Sequence, residues 1–186
     1  MLFPKYGNDY SYAHISGHSN KERWPYLPME LVWEIFCSRI RESTKPGGPH
    51  VNAFVLMHNH FHLLLTEKVS RIGKTAEKLC KNITYDFEGY TGEELTLFDF
   101  PPDQSLISDF KHLRHVYRYI YQNPVKAGIV NKAENYKFSS LYYLLGRKSD
   151  NTPLDVADTF GVIYDPIRLL QWINDPKPDA EFLHLH

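Results

Sequence analysis

Val51-Asn52-Ala53-Phe54-Val55-Leu56-Met57-His58-Asn59-His60-Phe61-His62-Leu63-Leu64-Leu65-Thr66 is the most informative run of the chain. Two apolar segments, Val51–Met57 and Phe61–Thr66, flank a short polar break and read as strands. Near-continuous apolar character predicts a central position buried on both faces. Alternate residues of a strand share a face. His58, His60 and His62 are therefore expected to point one way, with Phe61 and Leu63 turned into the core. Two imidazoles at i and i+2 can bind one divalent ion side by side, and such an ion polarises a phosphate oxygen. Two arrangements fit: a His-hydrophobic-His metal pair at His60 and His62, or a site using all three imidazoles.

Outward from this run, Tyr12–Ser16 reads as a first strand and Gly17–Arg23 as a polar turn. Pro28–Ser43 reads as a helix with Leu31, Ile35 and Ile40 among its apolar positions and acids near its start. Thr44–His50 holds Pro46, Gly47, Gly48 and Pro49 and reads as a loop. Val69–Phe87 looks helical, and the Gly-, Pro- and acid-rich Glu88–Gln104 reads as a loop or insertion. Ser108–Gln122 is a second clear helix, with Ser108 as N-cap and Pro124 as stop. Short helices are expected within Asn135–Leu145 and near Pro166–Ile173. Strands and helices alternate without strict βαβ regularity, so the fold class is α+β.

On the helix Ser108–Gln122, Phe110, Leu113, Tyr117, Ile120 and Tyr121 recur at helical spacing and form the apolar face. Tyr119 lies off that face, with His115 one turn before it and Asn123 one turn after it on a polar stripe. Tyr117 and Tyr121 are explained by packing; Tyr119 is not. A tyrosine hydroxyl, titrating near ~10, needs activation to act as a nucleophile. A metal-polarised phosphate and a nearby base would supply it.

The chain has 186 residues, enough for one domain with a real core. Its two cysteines, Cys37 and Cys80, lie far apart and form neither a metal pair nor a disulfide framework, which points to the cytoplasm. No long apolar run or signal-peptide pattern suggests a membrane segment. A formal net charge of −1 gives no bulk attraction to nucleic acid. The charges are nonetheless segregated. Between Lys111 and Lys148 the only acid is Glu134, and a second basic stretch holds Lys68, Arg71, Lys74, Lys78 and Lys81. Lys111, Arg114, Arg118 and Lys126 are the candidate phosphate contacts on the tyrosine helix.

Four blocks in order resemble the IS200-like and REP-associated single-tyrosine (HUH-type) transposases. These are His14-Ile15-Ser16-Gly17-His18-Ser19-Asn20, then His60-Phe61-His62 in its apolar strand, then Tyr119-Ile120-Tyr121-Gln122-Asn123-Pro124, then Tyr136-Lys137-Phe138-Ser139-Ser140. The resemblance runs from about Tyr12 to Gly146. It implies a ferredoxin-like α+β domain with a central antiparallel sheet. It implies that His60 and His62 bind Mg²⁺ or Mn²⁺, with Asn123 matching a third ligand, and that Tyr119 attacks the scissile phosphate to form a 5′-phosphotyrosine. It further implies single-stranded DNA with hairpins as partner and a homodimer, in which the tyrosine helix of one subunit can serve the other. Two histidines and an amide suit Mn²⁺ at least as well as Mg²⁺. Position 58 is His where this family commonly has Pro, and the acidic Glu93–Asp103 stands where the REP-associated branch carries a Gly-aromatic-basic segment.

This reading gives a catalytic domain over residues 1–148 and a C-terminal extension of unknown role over 149–186. The alternatives are a DNA-hairpin-binding module that no longer cleaves, and a histidine-triad nucleotide hydrolase. The hydrolase would use His58, His60 and His62, with Asn59 in a slot that is hydrophobic in its motif.

Overall fold

β1 (Tyr10–His18), α1 (Met29–Ser43), β2 (His50–Leu56), β3 (His60–Lys68), α2 (Ile72–Thr91) and β4 (Asp103–Leu106) follow one another in a computed structural model. It describes residues 9–20, 24–25, 27–147, 154–161 and 164–176. The strands form one antiparallel sheet in the order β2-β3-β1-β4. This βαββαβ order is the ferredoxin-like α+β arrangement expected from the sequence. Among the described residues three further helices follow: α3 (Phe110–Lys126), α4 (Ser140–Leu144) and α5 (Pro166–Asn174). None of the helices among the described residues is long and apolar enough to cross a membrane.

Strand alternation divides the sheet into two faces. Ile15, Phe61 and Leu63 meet α1 and α2 on one side, where Phe36 packs against Phe61 with ring centroids 5.3 Å apart. α2 presents Ile72, Ala76, Leu79, Cys80, Ile83 and Phe87 as a continuous buried stripe. Fully burying each such large side chain contributes about 1.5–3 kcal/mol. Gly17 pairs with Phe61 across the β1–β3 ladder, and a Cβ there would stand 2.8 Å from Phe61 Cε1 and 3.2 Å from Phe98 Cδ1. The missing side chain is what lets the two rings close over the strand. The other face of β3 carries His60, His62, Leu64 and Thr66 toward α3.

β3 is central, as its apolar run predicts, but β2 is an edge strand. Its burial comes from cover along the outer edge. Val55 bridges Ser139, Val51 bridges Val156, and Ala157 N donates to Val51 O at 2.8 Å. Tyr136 Oη also donates to Leu56 O at 2.7 Å, and Phe54 N donates to Ser140 Oγ at 2.8 Å. The aromatic-Ser-Ser block thus works as a clasp on β2.

Several expectations are corrected. β4 lies in what reads as loop; all four of its residues are exposed, and it pairs with β1 through its backbone. Polar edge strands carry no hydrophobic signal, and their charge discourages further pairing. β1 extends from Tyr10 to His18, so the turn does not begin at Gly17; Lys21 to Arg23 lie outside the described residues. The cap of α3 is Asp109, whose carboxylate accepts from His112 N at 2.8 Å, and not Ser108. Pro124 does not stop the helix. It lies in the last turn, where a proline forgoes only the bond to the carbonyl four residues back. The chain reverses at Gly128, whose φ of +69° suits a residue without a Cβ. Phe110 is half exposed rather than part of the apolar face. The Asn135–Leu145 helix is only α4, preceded by a 3-10 turn at Ala133–Asn135.

The boundary at 148/149 lies outside the described residues. The described part of the extension packs on α3. Phe160 meets the Tyr117 ring at 4.6 Å, and the Arg114 guanidinium lies 5.1 Å from the Trp172 ring centroid. Gln122 Nε2 donates to Ile173 O at 2.8 Å, and Arg118 donates to Asp175 O.

Candidate functional site

β3 delivers two imidazoles to the α3 face. His60 is half-buried at the start of the strand, and His62 is only 4% exposed. β1 runs antiparallel beside it in a register that puts His18 opposite His60 and Ser16 opposite His62. The His18 and His60 rings stack at 4.9 Å, and His14 Nε2 lies 3.1 Å from His62 Nδ1. A four-histidine patch therefore spans two strands.

α3 crosses this patch and lowers Tyr119 onto it. The Tyr119 ring meets His62 edge-on at 5.2 Å and His14 at 6.2 Å. Tyr119 is 37% exposed, so its flank faces solvent. Asn123, one turn on, donates from Nδ2 to Tyr119 O at 3.1 Å. That bond leaves its Oδ1 for other partners. Lys126 Nζ sits 5.2 Å from the Tyr119 ring centroid, within cation–π range. Tyr121, by contrast, is buried and shares a 2.8 Å hydrogen bond with Ser140 Oγ, which locks the helix to the clasp on β2.

Burial dominates the electrostatics. It pushes His62 down to about 3, with His14, His60 and His18 adding in the same direction and the Asn123 amide opposing. Burial pushes His14 down to about 4, helped by His112 and opposed by Asp103. His60 is lowered too, first by burial and then by His18, against Asn123. These three imidazoles are neutral near pH 7, the form that can donate a lone pair to a metal.

Among the described residues no three His, Cys, Asp or Glu side chains converge as a metal site. An ion here would rest on two imidazoles and the Asn123 amide. The donor chemistry fits. His62 Nε2 is buried with no hydrogen-bond partner of ordinary geometry. His60 Nδ1 is engaged by Asn59 Oδ1 at 2.8 Å, which leaves its Nε2 for the site.

The structure brings Tyr119, Asn123, His60 and His62 together within one chain. It separates others from them. His58 lies in the hairpin connection, exposed, and does not share the face of His60 and His62. Lys111 and His115 are exposed on α3. Arg114 and Arg118, read from the sequence as phosphate contacts, are 8% and 7% exposed and turned to α5. Their charge serves the C-terminal packing.

The chain is similar to the solved structure of a REP-associated tyrosine transposase bound to a REP hairpin, with TM-score 0.63 and 19% identity over 86% of this chain and 93% of that one. The two share a fold. No protein-family model and no curated protein matches the sequence.

Sequence reasoning missed His14, His18 and Asn59 as members of the site. The first two alternate on β1 as His60 and His62 do on β3, and that shared period was the available signal. Which strand pairs with which is not written in either run alone. Asn59 reads as a turn residue and nothing more.

Proposed function

We propose that this chain is a metal-dependent transposase-type enzyme, acting in the cytoplasm, that nicks and rejoins hairpin-flanked single-stranded DNA through a 5′-phosphotyrosine. The observation that carries this reading is the edge-on contact of Tyr119 with His62, with Asn123 holding Tyr119 O one turn below. The shared fold supports the relationship to a tyrosine transposase.

In this reading Tyr119 Oη attacks the scissile phosphorus. A Tyr–O–P bond forms, the P–O3′ bond breaks, and the tyrosine proton ends on the departing 3′-hydroxyl. Attack by a different 3′-hydroxyl reverses the exchange and frees Tyr119. One phosphate ester is traded for another, so no nucleotide energy source is needed. His60, His62 and Asn123 would hold Mg²⁺ or Mn²⁺, which when bound would supply Lewis-acid polarisation of the phosphate. Lys126, exposed beside Tyr119, adds positive charge where the phosphate docks, and Lys111 extends it along α3. A homodimer would serve to hold two DNA ends, since the tyrosine and the candidate ligands already meet in one chain. The position of His58, before the start of β3, favours this reading over the histidine-triad alternative.

The test is a denaturing gel of the protein with Mn²⁺ or Mg²⁺ and labelled single-stranded DNA carrying the hairpins that flank its own gene. Label moving to protein mass, and lost with EDTA or Tyr119→Phe, is the expected result. Measured hairpin binding with no adduct would favour the non-cleaving module instead.

A further inference from the structure

The 3.1 Å contact between His14 Nε2 and His62 Nδ1 carries information beyond proximity. A hydrogen bond between two neutral ring nitrogens needs one proton between them. Either His14 donates and His62 keeps its own proton on Nε2, or His62 donates from Nδ1 and its Nε2 bears a lone pair. Only the second form can ligate through Nε2. The neighbouring ligand candidate shows which way the site is built. His60 Nδ1 lies 2.8 Å from Asn59 Oδ1, a carboxamide oxygen that only accepts. His60 therefore carries its proton on Nδ1 and its lone pair on Nε2. Were His62 protonated on Nε2, that buried N–H would lack an acceptor of ordinary hydrogen-bond geometry. Leaving a buried donor without a partner is unfavourable.

We propose that His14 is a positioning residue that holds His62 in its Nδ1–H tautomer, as Asn59 holds His60, so that both ligand rings present Nε2 lone pairs to one site. The inference rests on the metal reading proposed above. The fold explains why His14 can do this. Ser16 is the direct cross-strand partner of His62, and His14, two residues away on the same face of β1, is its diagonal neighbour. The contact is made between two paired strands, so backbone register sets it rather than a loop. Outer-shell partners of this kind orient ligating imidazoles and typically matter 10–100-fold for affinity.

Two measurements test it. The first is a long-range ¹H–¹⁵N correlation spectrum of the histidine rings in the unmutated, metal-free protein near neutral pH. His60 and His62 are both expected as Nδ1–H tautomers; His62 as Nε2–H overturns the proposal. The second is Mn²⁺ titration of the wild type, His14→Leu and His14→Gln. His14→Leu is expected to bind roughly 10–100-fold more weakly. His14→Gln should recover most of the loss, because its side-chain oxygen accepts the same proton. A folded His14→Leu protein with wild-type affinity overturns the proposal. Absence of Mn²⁺ binding by the wild type would sink the metal reading instead, and the tautomer spectrum would then decide the role of His14 alone.

Discussion

The ring of Tyr119 stands edge-on to the ring of His62, with centroids 5.2 Å apart and planes at 68°. The contact joins the tyrosine helix to the central strand. Removing the hydroxyl alone leaves the ring to keep it. Tyr119→Phe is therefore expected to abolish the covalent DNA adduct while changing stability by less than about 0.5 kcal/mol. Urea unfolding beside the adduct gel checks both; an adduct that persists would remove Tyr119 from the chemistry.

Metal should stabilise the folded chain by mass action. Mn²⁺ at about 100 times its dissociation constant is expected to add about 2.7 kcal/mol, reversed by EDTA. His60→Ala and Asn123→Ala should each weaken the response. Thermal melts with and without Mn²⁺ report it, and a wild-type melting curve indifferent to the ion argues against the ligand set.

Gly17→Ala places a methyl group where Phe61 and Phe98 already close. Overpacking of this kind costs typically 1–3 kcal/mol. A urea midpoint lowered with unchanged slope is the expected result. A wild-type midpoint would mean that the two rings move aside freely.

Acid should destabilise the metal-free protein through its buried imidazoles. His14 is held at about 4 and His62 at about 3 in the fold, against an ordinary value of 6.5. Below 6.5 the unfolded chain takes up protons that the folded chain refuses. The stability these groups contribute is thus complete above 6.5 and lost as pH falls through 6.5 toward 4 and then 3. Melting temperatures in EDTA should fall between pH 7.5 and 5, with a shallower slope for His14→Gln. A flat profile would contradict the neutral pair.

Trp172 is buried against Tyr117, Phe160 and Arg114. Trp172→Ala is expected to cost about 3–5 kcal/mol. Amide exchange should speed up in α3 before the sheet. If α3 keeps its protection while α5 exchanges freely, the C-terminal packing is an ornament to the tyrosine helix rather than a support.

The apolar faces of α1 and α3 and the central place of β3 were legible because burial leaves a pattern on the residues that experience it. Tyr119 stood out from Tyr117 and Tyr121 by that pattern alone. β4 was not legible, since Asp103, Gln104, Ser105 and Leu106 are exposed and join the sheet through backbone bonds. His58 was misplaced because a spacing of two residues shows alternation but not where a strand begins. The placement of Arg114 and Arg118 was not legible for a different reason. Their charge pointed to solvent, whereas the partners that bury them, Trp172 and Asp175, come much later in the chain. His14 belongs to the same class, its place at the site being set by the pairing of β1 with β3.

The cover on the outer edge of β2 has a consequence for how the protein is made. Val55 must wait for Ser139, and Val51 for Val156, so synthesis passes through a long interval in which a strongly apolar strand can pair with β3 yet shows an open flank. Unpaired strand edges of that kind recruit other chains. Slowing the ribosome between β3 and Tyr136 would lengthen the exposure, and the nascent chain would then depend on chaperones until its last segments emerged.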